Sequence, residues 1–308
     1  MSMDKPIDIL GLGFCGLDTL CLVPSIPLDS KVEISHMLIQ GGGPAATATV
    51  TASRLGLRTA FAGVTGDDDR GTAILREFDR EGVNTDGVLR RSGCTSPAAF
   101  CWVEETNGSR SIAWTHGDVD PLGPDELRPD MVLSAKALQL DGHQTDAAIR
   151  AADLANAAGM LVFLDAGTLV PRIGELISRC TVVIASLDFA QRFTGSSDPE
   201  AALRALRRLG PAWTGVTMGA EGSVGFDGSD VLHQGIFPVP VVDTTGAGDV
   251  YHGAFAARYV ECASTGDGPD LRDCMRFASV AAGLKCRSLG GRTGIPDRAE
   301  LDRAIETM

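Results

Sequence analysis

The chain has 308 residues, a formal net charge of −13 and 44% hydrophobic residues. This length and composition predict a folded protein with a large buried core. The acidity and the lack of a basic run argue against a nucleic-acid partner, and no apolar stretch reaches the roughly 20 residues that a membrane-spanning helix requires.

Short apolar runs alternate with amphipathic segments along most of the chain, which predicts strands alternating with helices. The predicted strands are Ile7–Gly13, Thr59–Val64, Ala137–Leu140, Leu161–Leu164, Val182–Ala185 and Gly215–Met218. The predicted helices are Ala45–Leu55, Arg70–Glu81, Thr145–Ala158, Pro199–Arg208, Ala247–Val260, Leu271–Leu284 and Arg298–Glu306. Strands alternating with helices indicate an α/β fold with a mostly parallel sheet covered on both faces.

Two regions lack this alternation. Lys31–Ile39 alternates polar and apolar residues with period two, and residues 86–115 contain two or three predicted strands, with a hairpin signal at Asn107-Gly108. Because no helices separate these strands, we predict a small antiparallel lid. It is formed by about 29–40 and 86–118 and is inserted in a single domain that spans residues 1–308.

A glycine-rich turn, GLGFCG at residues 11–16, follows the first predicted strand. A dinucleotide-binding turn of this form requires a helix that begins at the glycines. Pro24 and Pro27 follow too soon for such a helix, so we interpret the stretch as a strand end that leads into a loop. Asp18 is then expected near the C-terminal edge of the sheet, where α/β folds bind ligands.

Two further glycine turns lie at predicted strand or helix ends. GGGPAATATVTASRLG, at residues 41–56, places three glycines before a helix that Pro44 suits as a first-turn residue. TMGAEGS follows an apolar strand, and its Thr217, Gly219 and Gly222 fit a turn whose backbone N–H groups face a phosphate. Taken alone, each segment is also compatible with an ordinary loop.

The stretch DTTGAGDVYHGAF, at residues 243–255, is the most informative for function. Gly246, Ala247 and Gly248 would present successive N–H groups at the start of a helix, where the helix dipole stabilises negative charge. Asp249, one step further, can accept a proton from an attacking hydroxyl. This arrangement suits phosphoryl transfer, in which charge grows on the transferred group. Ordinary helix capping is the structural alternative for the aspartate.

DTTGAGDVYHGAF resembles the C-terminal signature of the PfkB (ribokinase-like) carbohydrate kinases, and GGGPAATATVTASRLG resembles their N-terminal signature. The order of elements, including the two-part lid, is similar over essentially the whole chain. RFASVAAGLKCRSLGGRTGIPD, at residues 276–297, resembles the closing segment of the branch that holds ketohexokinases and sulfofructose kinases. The resemblance implies a ribokinase-like three-layer α/β sandwich with a β lid, and ATP and Mg²⁺ as cofactors.

The resemblance also implies roles for individual residues. Asp249 is expected to deprotonate a sugar hydroxyl for attack on the γ-phosphate of ATP, with the backbone of residues 246–248 as anion hole. Asp18, Gly42 and Gly43 are expected to hold sugar hydroxyls under a lid that excludes water. The residues expected beside the nucleotide are Thr217, Gly219, Gly222, Thr245 and Gly291, with the helix 271–284 as a wall for adenine.

The chain departs from the family pattern at substrate positions. Ala46 stands where the first signature often has Asn, so one sugar contact is lost or replaced. Lys31 matches a basic lid position of the sulfofructose kinases. Sulfonate recognition in those kinases also uses an Asn and an Arg. This chain has Trp114 and His143 at those two positions, so two of the three sulfonate contacts are lost. As an alternative, Trp114 could stack on a sugar face, and His143 follows a strand end near the expected sugar pocket.

The metal sites are the least defined part of the resemblance. The N-x-x-E segment of the family, linked to the water shell of Mg²⁺, should fall at 186–189, where this chain has SLDF. Asp188 and Asp165 are the alternative acidic groups. Asp243 and Thr245 match positions that in some relatives help hold a monovalent cation such as K⁺.

Three functions are compatible with these observations. The leading one is an ATP-dependent kinase for a small sugar or sugar derivative, with a ketose-like substrate favoured. A nucleoside kinase would need an aromatic or apolar slot for a base, which the aromatic content of 5% disfavours. A non-catalytic sugar- or nucleotide-binding regulator is the third, and the intact Asp249 and glycine cradle argue against it.

Cysteine usage and the N-terminus predict the cellular setting. The eight cysteines are scattered without a CxxC pair, and MSMDKPIDIL lacks a basic region followed by an apolar run. We therefore predict reduced thiols and a cytoplasmic location. The exposed lid strands invite edge-to-edge pairing, so a homodimer through the lid is expected.

Overall fold

The computed structural model describes residues 5–106, 109–265 and 268–307. In these ranges the strands are β1 (Ile7–Leu12), β2 (Gly16–Val23), β3 (His36–Gly42), β4 (Thr59–Gly66), β5 (Asn84–Arg91), β6 (Ala98–Glu104), β7 (Arg110–Thr115), β8 (Ala135–Leu140), β9 (Leu161–Ala166), β10 (Val182–Ser186), β11 (Trp213–Thr217), β12 (Ser223–Phe226) and β13 (Val231–Gln234). The helices are α1 (Pro44–Arg54), α2 (Asp69–Arg80), α3 (Pro129–Leu133), α4 (Thr145–Ala157), α5 (Ile173–Ile177), α6 (Leu187–Thr194), α7 (Pro199–Arg207), α8 (Ala247–Thr265), α9 (Leu271–Lys285) and α10 (Arg298–Glu306).

Nine of the described strands form the central sheet, in the order β13-β12-β11-β10-β9-β8-β1-β4-β5. Neighbours from β11 to β5 are parallel, and β12 and β13 add an antiparallel hairpin at one edge. The chain extends the sheet on one side of β1 with β4 and β5, and on the other side with β8 to β11. A crevice therefore opens beyond the C-terminal ends of β1 and β8, which is where open α/β sheets bind ligands.

Helices cover both faces of this sheet and make three layers. Strand side chains alternate between the faces. In β1, Leu10 and Leu12 belong to the core formed with α3 to α7, whereas Ile9 belongs to the core formed with α1, α2, α8, α9 and α10. The predicted three-layer α/β class is confirmed, and each of the predicted strands and helices above is present to within a few residues.

Small side chains let α1 and α8 pack closely. A Cβ atom built on Gly253 of α8 would lie 2.3 Å from the carbonyl oxygen of Ala48 in α1. The hydroxyls of Thr49 and Thr51 donate to their own helix backbone, to Ala45 O and Thr47 O, over 2.7 and 2.9 Å. These threonines are therefore buried without an unpaired polar group.

The second sheet has the order β3-β2-β6-β7 and forms the lid. β2 is antiparallel to β3 and parallel to β6, and β6 is antiparallel to β7. The loop predicted after the first strand is only residues 13–15, and the sequence analysis missed β2, which follows it as an inner strand of the lid. Rejection of the dinucleotide-binding helix is supported, because GLGFCG leads from β1 into this strand.

Two predicted lid boundaries also differ from the structure. Residues 31–35 are irregular and the strand begins only at His36, since β3 pairs with β2 through to Gly42. β5 belongs to the central sheet, because α2 connects it to β4 as a parallel neighbour. The predicted Asn107-Gly108 turn lies outside the described residues. None of the helices in the described ranges has the length and apolarity needed to cross a membrane.

Candidate active site

Asp141 marks the centre of the crevice, directly after β8. Its carboxylate accepts backbone N–H bonds from Phe14 over 2.8 Å, from Ala45 over 3.1 Å and from His143 over 2.9 Å. A Cβ on Gly13 would lie 2.3 Å from this carboxylate, so the glycine after β1 leaves room for it. Asp141 thus ties the end of β1, the start of α1 and the turn after β8 together at one place.

Asp249 lies in the first turn of α8 and faces this crevice. Burial, together with the charges of Asp141 and Asp18, raises the pKa of Asp249 to about 6, while Arg292 and Lys285 act in the opposite direction. A carboxyl group with this pKa is mostly ionised at neutral pH and is basic enough to accept a proton. The sequence motif and the structure therefore place a tuned carboxylate at the helix start.

Asp18 extends from β2 of the lid towards the glycines of the first signature. A Cβ on Gly42 would lie 2.0 Å from Asp18 Oδ2, so a side chain at that position is incompatible with this carboxylate. Gly43 has a φ of +104° and precedes α1, a conformation that favours glycine. Burial raises the pKa of Asp18 to about 6, with Arg292 lowering it and Glu77 raising it.

A buried ion pair supports this glycine segment from behind. Arg292 Nη1 lies 3.0 Å from Glu77 Oε1, and the other Glu77 oxygen accepts the backbone N–H of Gly41. Arg292 also donates to Thr47 Oγ1 over 3.2 Å and to Gly42 O over 3.3 Å. The pair therefore joins the first signature, α2 and the C-terminal loop.

Asp165, at the end of β9, is paired with His252 of α8. Asp165 Oδ1 and His252 Nε2 are 3.2 Å apart and both side chains are buried. Burial raises the pKa of Asp165 well above its usual range, with Asp249 and Asp141 adding to the effect. Burial lowers the pKa of His252 to about 3. Both shifts favour neutral forms, so the contact is a short polar contact between uncharged groups and not an ion pair.

The loop before α8 has the shape expected of an anion cradle. Gly246 has a φ of +75°, and a Cβ there would lie 2.8 Å from the Cα of Gly291. Gly291 and Thr245 are thus both placed at this loop. The first N–H groups of α8 have no intrahelical acceptors, and that of Ala247 donates to Thr244 O over 3.2 Å in this loop. The role of residues 246–248 as an anion hole stays a prediction.

Hydrogen bonds to Asp243, including one from Lys285, fix the conformation of this loop. Asp243 Oδ1 accepts from Thr245 N over 2.8 Å and from Thr245 Oγ1 over 2.7 Å, and Oδ2 accepts from Gly290 N over 2.8 Å. Lys285 Nζ, fully buried, donates to Asp243 O over 2.7 Å. Each of these three oxygens of Asp243 therefore already has a protein donor, and the ammonium of Lys285 beside the main-chain oxygen repels a second cation there.

A cavity of about 620 Å³ adjoins the cradle. Its size is typical of small-molecule sites. The predicted nucleotide residues Thr217, Gly219 and Gly222 line one side, and α9 lines another through Ser279 and Gly283. The apolar segment 236–241 supplies most of the remaining wall. Gly222 has a φ of +85°, and a Cβ there would lie 2.2 Å from Gln234 O.

Arg110 connects the lid to this cavity. It stands at the start of β7, lines the cavity, and donates from Nη1 to Thr244 Oγ1 over 2.9 Å. Its guanidinium therefore lies beside the anion cradle. A guanidinium suits bidentate binding of phosphate oxygens. The sequence analysis did not identify this residue, since one arginine in an alternating strand carries no local signal.

Two of the predicted substrate residues belong to an aromatic cluster, defined by Phe14, Trp114, His116 and His143. Trp114 and His116 have ring centroids 4.6 Å apart, and Phe14 lies 5.4 Å from His143 and 6.2 Å from Trp114. Burial lowers the pKa of His116, and His143 adds to the effect. Trp114 shares its lid face with Asp18, because both stand in one row across β2, β6 and β7.

The remaining predicted substrate and metal positions are less central. Lys31 is exposed on the irregular segment between β2 and β3, and Ala46 is buried within α1. In the SLDF segment, Ser186 caps α6 by accepting from Phe189 N. Asp188 is exposed and paired with Arg192. Asp188 is thereby a poor substitute for the missing metal-shell residue, which leaves Asp165.

Comparisons with known proteins agree with this geometry. The model of the pfkB family of carbohydrate kinases matches residues 13–298. A nucleoside kinase from Methanothermobacter thermautotrophicus is 26% identical over 97% of this chain and 95% of its own length. A ribokinase from Bacillus subtilis is 28% identical over 97% of this chain and 99% of its own.

A solved structure of Arabidopsis thaliana ribokinase, complexed with ribose and ATP, has the same fold. It aligns with a TM-score of 0.84 and 25% identity over 97% of this chain and 99% of its own. Membership of the ketohexokinase and sulfofructose kinase branch stays a prediction. The family match covers nearly the whole chain, including both signatures. The chain therefore belongs to the pfkB family of carbohydrate kinases and is an ATP-dependent kinase.

Proposed function

We propose that this kinase phosphorylates a hydroxyl group of a small sugar or sugar derivative, with Asp249 as base. The observation that carries the proposal is the placement of the Asp249 carboxyl, with a pKa of about 6, next to the open start of α8. One residue thus faces the incoming hydroxyl while the adjacent backbone faces the phosphoryl group. A carboxylate beside an anion site would be expected to repel the anion. Here Asp249 acts on the acceptor hydroxyl, whereas the backbone N–H groups act on the phosphoryl group.

Each part of the site then has a role. Asp18 accepts hydrogen bonds from sugar hydroxyls, and Gly42 and Gly43 allow the sugar to approach the backbone. The proton of the attacking hydroxyl moves to Asp249 as the oxygen bonds to the γ-phosphorus and the bond to ADP breaks. The N–H groups of residues 246–248 stabilise the charge on the transferred group. Thr217, Gly219, Gly222, Thr245 and Gly291 border the nucleotide.

Arg110 is proposed to bind the phosphates of ATP from the lid. Its contact with Thr244 Oγ1 places the guanidinium over the cradle. Because Arg110 and Asp18 stand on the same lid sheet, closure of the lid brings a nucleotide contact and an acceptor contact into place together. Closure over a bound acceptor also excludes water and limits hydrolysis of ATP.

Mg²⁺ is proposed to enter with ATP. In the part of the chain that the structure describes, no three His, Cys, Asp or Glu side chains converge in a way that could hold a metal. Mg²⁺ commonly keeps several waters and is held by substrate phosphates with one or two carboxylates. Asp165 is the acidic group that we propose for its water shell: burial favours the neutral form of Asp165 in the absence of the ion, and the positive charge of Mg²⁺ would favour the ionised form. The ion neutralises phosphate charge when it is bound.

A nucleoside acceptor is the second candidate, and the aromatic cluster of Phe14, Trp114, His116 and His143 favours it. Its ring surfaces lie beside the lid face that carries Asp18, where they can receive a planar base. The sequence-based objection to a nucleoside, few aromatic residues, thus loses weight because four rings converge here. The relative named as a nucleoside kinase supports the same candidate.

An acceptor panel decides between the two. ATP consumption is measured with aldoses, ketoses, sulfonated ketoses and purine and pyrimidine nucleosides, and the product is identified by phosphorus NMR. We expect a ketose or another free sugar to give the highest kcat/KM. A nucleoside with the highest value would replace the first proposal by the second. No turnover of ATP with any acceptor would contradict both.

The variant Trp114→Leu sharpens this comparison. It removes the ring that faces the acceptor, whereas the matched control Trp102→Leu changes a tryptophan of β6 on the opposite lid face. For a free sugar we expect a modest rise in KM. For a nucleoside, loss of base stacking is expected to cost about 1–3 kcal/mol, or roughly 5- to 150-fold in kcat/KM. The control is expected to leave both values unchanged.

We further propose that two lids pair in a homodimer. Met37, Ile39 and Phe100 are 55%, 54% and 45% exposed and share the lid face that points away from the site. Such an apolar sheet face is typical of an interaction surface. Ile39→Glu is expected to convert a dimer to a monomer in light scattering. Leu28→Glu, on an irregular segment, is the control, and a monomeric wild type would contradict the proposal.

A further inference from the structure

A buried positive charge at the end of α9 lies beside the loop that precedes α8. Lys285 ends α9 and its side chain is fully buried. Its ammonium donates to the main-chain oxygen of Asp243 over 2.7 Å. A buried ammonium is stable only when acceptors and negative charges surround it. Here the charges of Asp243 and Asp249 favour the charged form, against burial, which lowers the pKa of Lys285.

The position of this ammonium relative to the loop is informative. Asp243 and Asp249 bracket the cradle, and both act electrostatically on Lys285. The hydrogen bond from Lys285 Nζ to Asp243 O places the ammonium directly beside the start of the loop that leads into α8. A main-chain oxygen and a carboxylate are also the ligands that a monovalent cation would use at this place. Here they bind Lys285, Thr245 and Gly290.

We propose that Lys285 supplies the fixed positive charge that K⁺ would otherwise provide at Asp243, so that this kinase needs no monovalent cation. The ammonium holds the cradle loop through Asp243 O and adds positive potential behind the anion hole. The catalytic part of this inference rests on the proposed function. The binding part does not, because a cation site can be tested without turnover.

Measurements on the wild-type protein test whether a monovalent cation binds at Asp243. Melting temperatures are measured in K⁺, Na⁺ and tetramethylammonium chloride at equal ionic strength, and a crystal is soaked in Tl⁺ to locate bound cations by anomalous scattering. We expect equal melting temperatures and no Tl⁺ peak at Asp243. A K⁺-specific rise in melting temperature together with a Tl⁺ peak at Asp243 would overturn the proposal.

The variant Lys285→Met tests the role of the charge. It keeps the length of the side chain and removes the ammonium. We expect kcat to fall by about tenfold or more, with partial recovery and a higher melting temperature when K⁺ or ammonium ions are added. The control Lys136→Met removes a lysine paired with Asp8 over 2.8 Å at the other end of the sheet, and should remain insensitive to K⁺.

The outcomes of these measurements are distinguishable. Full activity and K⁺ insensitivity of Lys285→Met would overturn the inference and leave the kinase assignment intact. If Lys285→Met does not fold, Lys285→Arg and the wild-type titrations still decide, since K⁺ activation of the wild type by more than about twofold contradicts the proposal. Absence of any kinase activity would contradict the proposed function while the melting and Tl⁺ measurements remain valid.

Discussion

Replacement of Asp249 by Asn should separate the catalytic cost of this carboxyl from its cost to stability. Asn keeps the size of the side chain but cannot accept the proton of the attacking hydroxyl. Loss of a general base typically lowers kcat by about 10²–10⁴-fold. Acceptor binding should persist, because Asp18 and the glycine segment are unchanged. ATP turnover and acceptor titration by calorimetry measure the two effects.

The same substitution should stabilise the fold at neutral pH. Burial and neighbouring carboxylates raise the pKa of Asp249 from 3.8 to about 6. At about 1.4 kcal/mol per pH unit, this difference corresponds to at most about 3 kcal/mol of destabilisation in the wild type. Since the folded-state pKa is the higher one, the penalty is fully present above pH 6 and disappears as the pH falls towards 3.8. The free energy of unfolding in urea, measured at several pH values, should show a gain for Asp249→Asn that fades in acid.

The pH dependence of the wild type completes the test. One pH unit below the pKa of the base, only about one tenth of the carboxyl groups is ionised, so kcat/KM should fall about tenfold there. Activity of Asp249→Asn within about tenfold of wild type would refute the role of Asp249 as base. A variant that is inactive and also less stable at neutral pH would instead refute the physical reasoning about its burial.

Three other substitutions test neighbouring parts of the site. Gly42→Ala places a Cβ 2.0 Å from the Asp18 carboxylate, and displacing that group should raise the acceptor KM by roughly tenfold or more while the KM for ATP is unchanged. Arg292→Met leaves Glu77 buried without its cation and should cost about 3–5 kcal/mol in urea unfolding, partly recovered by adding Glu77→Gln; no loss would show that the pair is dispensable. Arg110→Ala should raise the KM for ATP by roughly tenfold without affecting acceptor binding, with Arg110→Lys intermediate; an unchanged KM for ATP would remove Arg110 from the nucleotide site.

Much of the fold could be predicted because its signals are local. The alternation of apolar runs and amphipathic helices reports directly on the parallel sheet and its two helical layers. β2 was missed because its strand state depends on pairing with β3 and β6, which lie far away in the chain. β5 was assigned to the lid because an exposed edge strand has the same alternating pattern in either sheet.

The candidate site also has residues that local sequence could predict and contacts that it could not. Asp249, Asp18 and the glycines of both signatures could be proposed as site residues from the sequence, because glycine turns and helix starts are encoded in neighbouring residues. The Arg292–Glu77 pair joins residues 215 positions apart, so local sequence carries no sign of it. The same holds for Arg110 beside Thr244, which are 134 positions apart.

The sequence by itself determined the class of fold, the glycine cradle and the carboxylate beside it, because each depends on short-range backbone geometry and helix-terminus electrostatics. Tertiary structure decided what surrounds that stretch, since burial and charge proximity arise only on folding. It raised the pKa of Asp249, placed the ammonium of Lys285 beside the main-chain oxygen of Asp243, and gathered Phe14, Trp114, His116 and His143 from distant segments into one aromatic cluster. DTTGAGD thus carries the family resemblance in local sequence, whereas the charges and burial around its two aspartates depend on the fold.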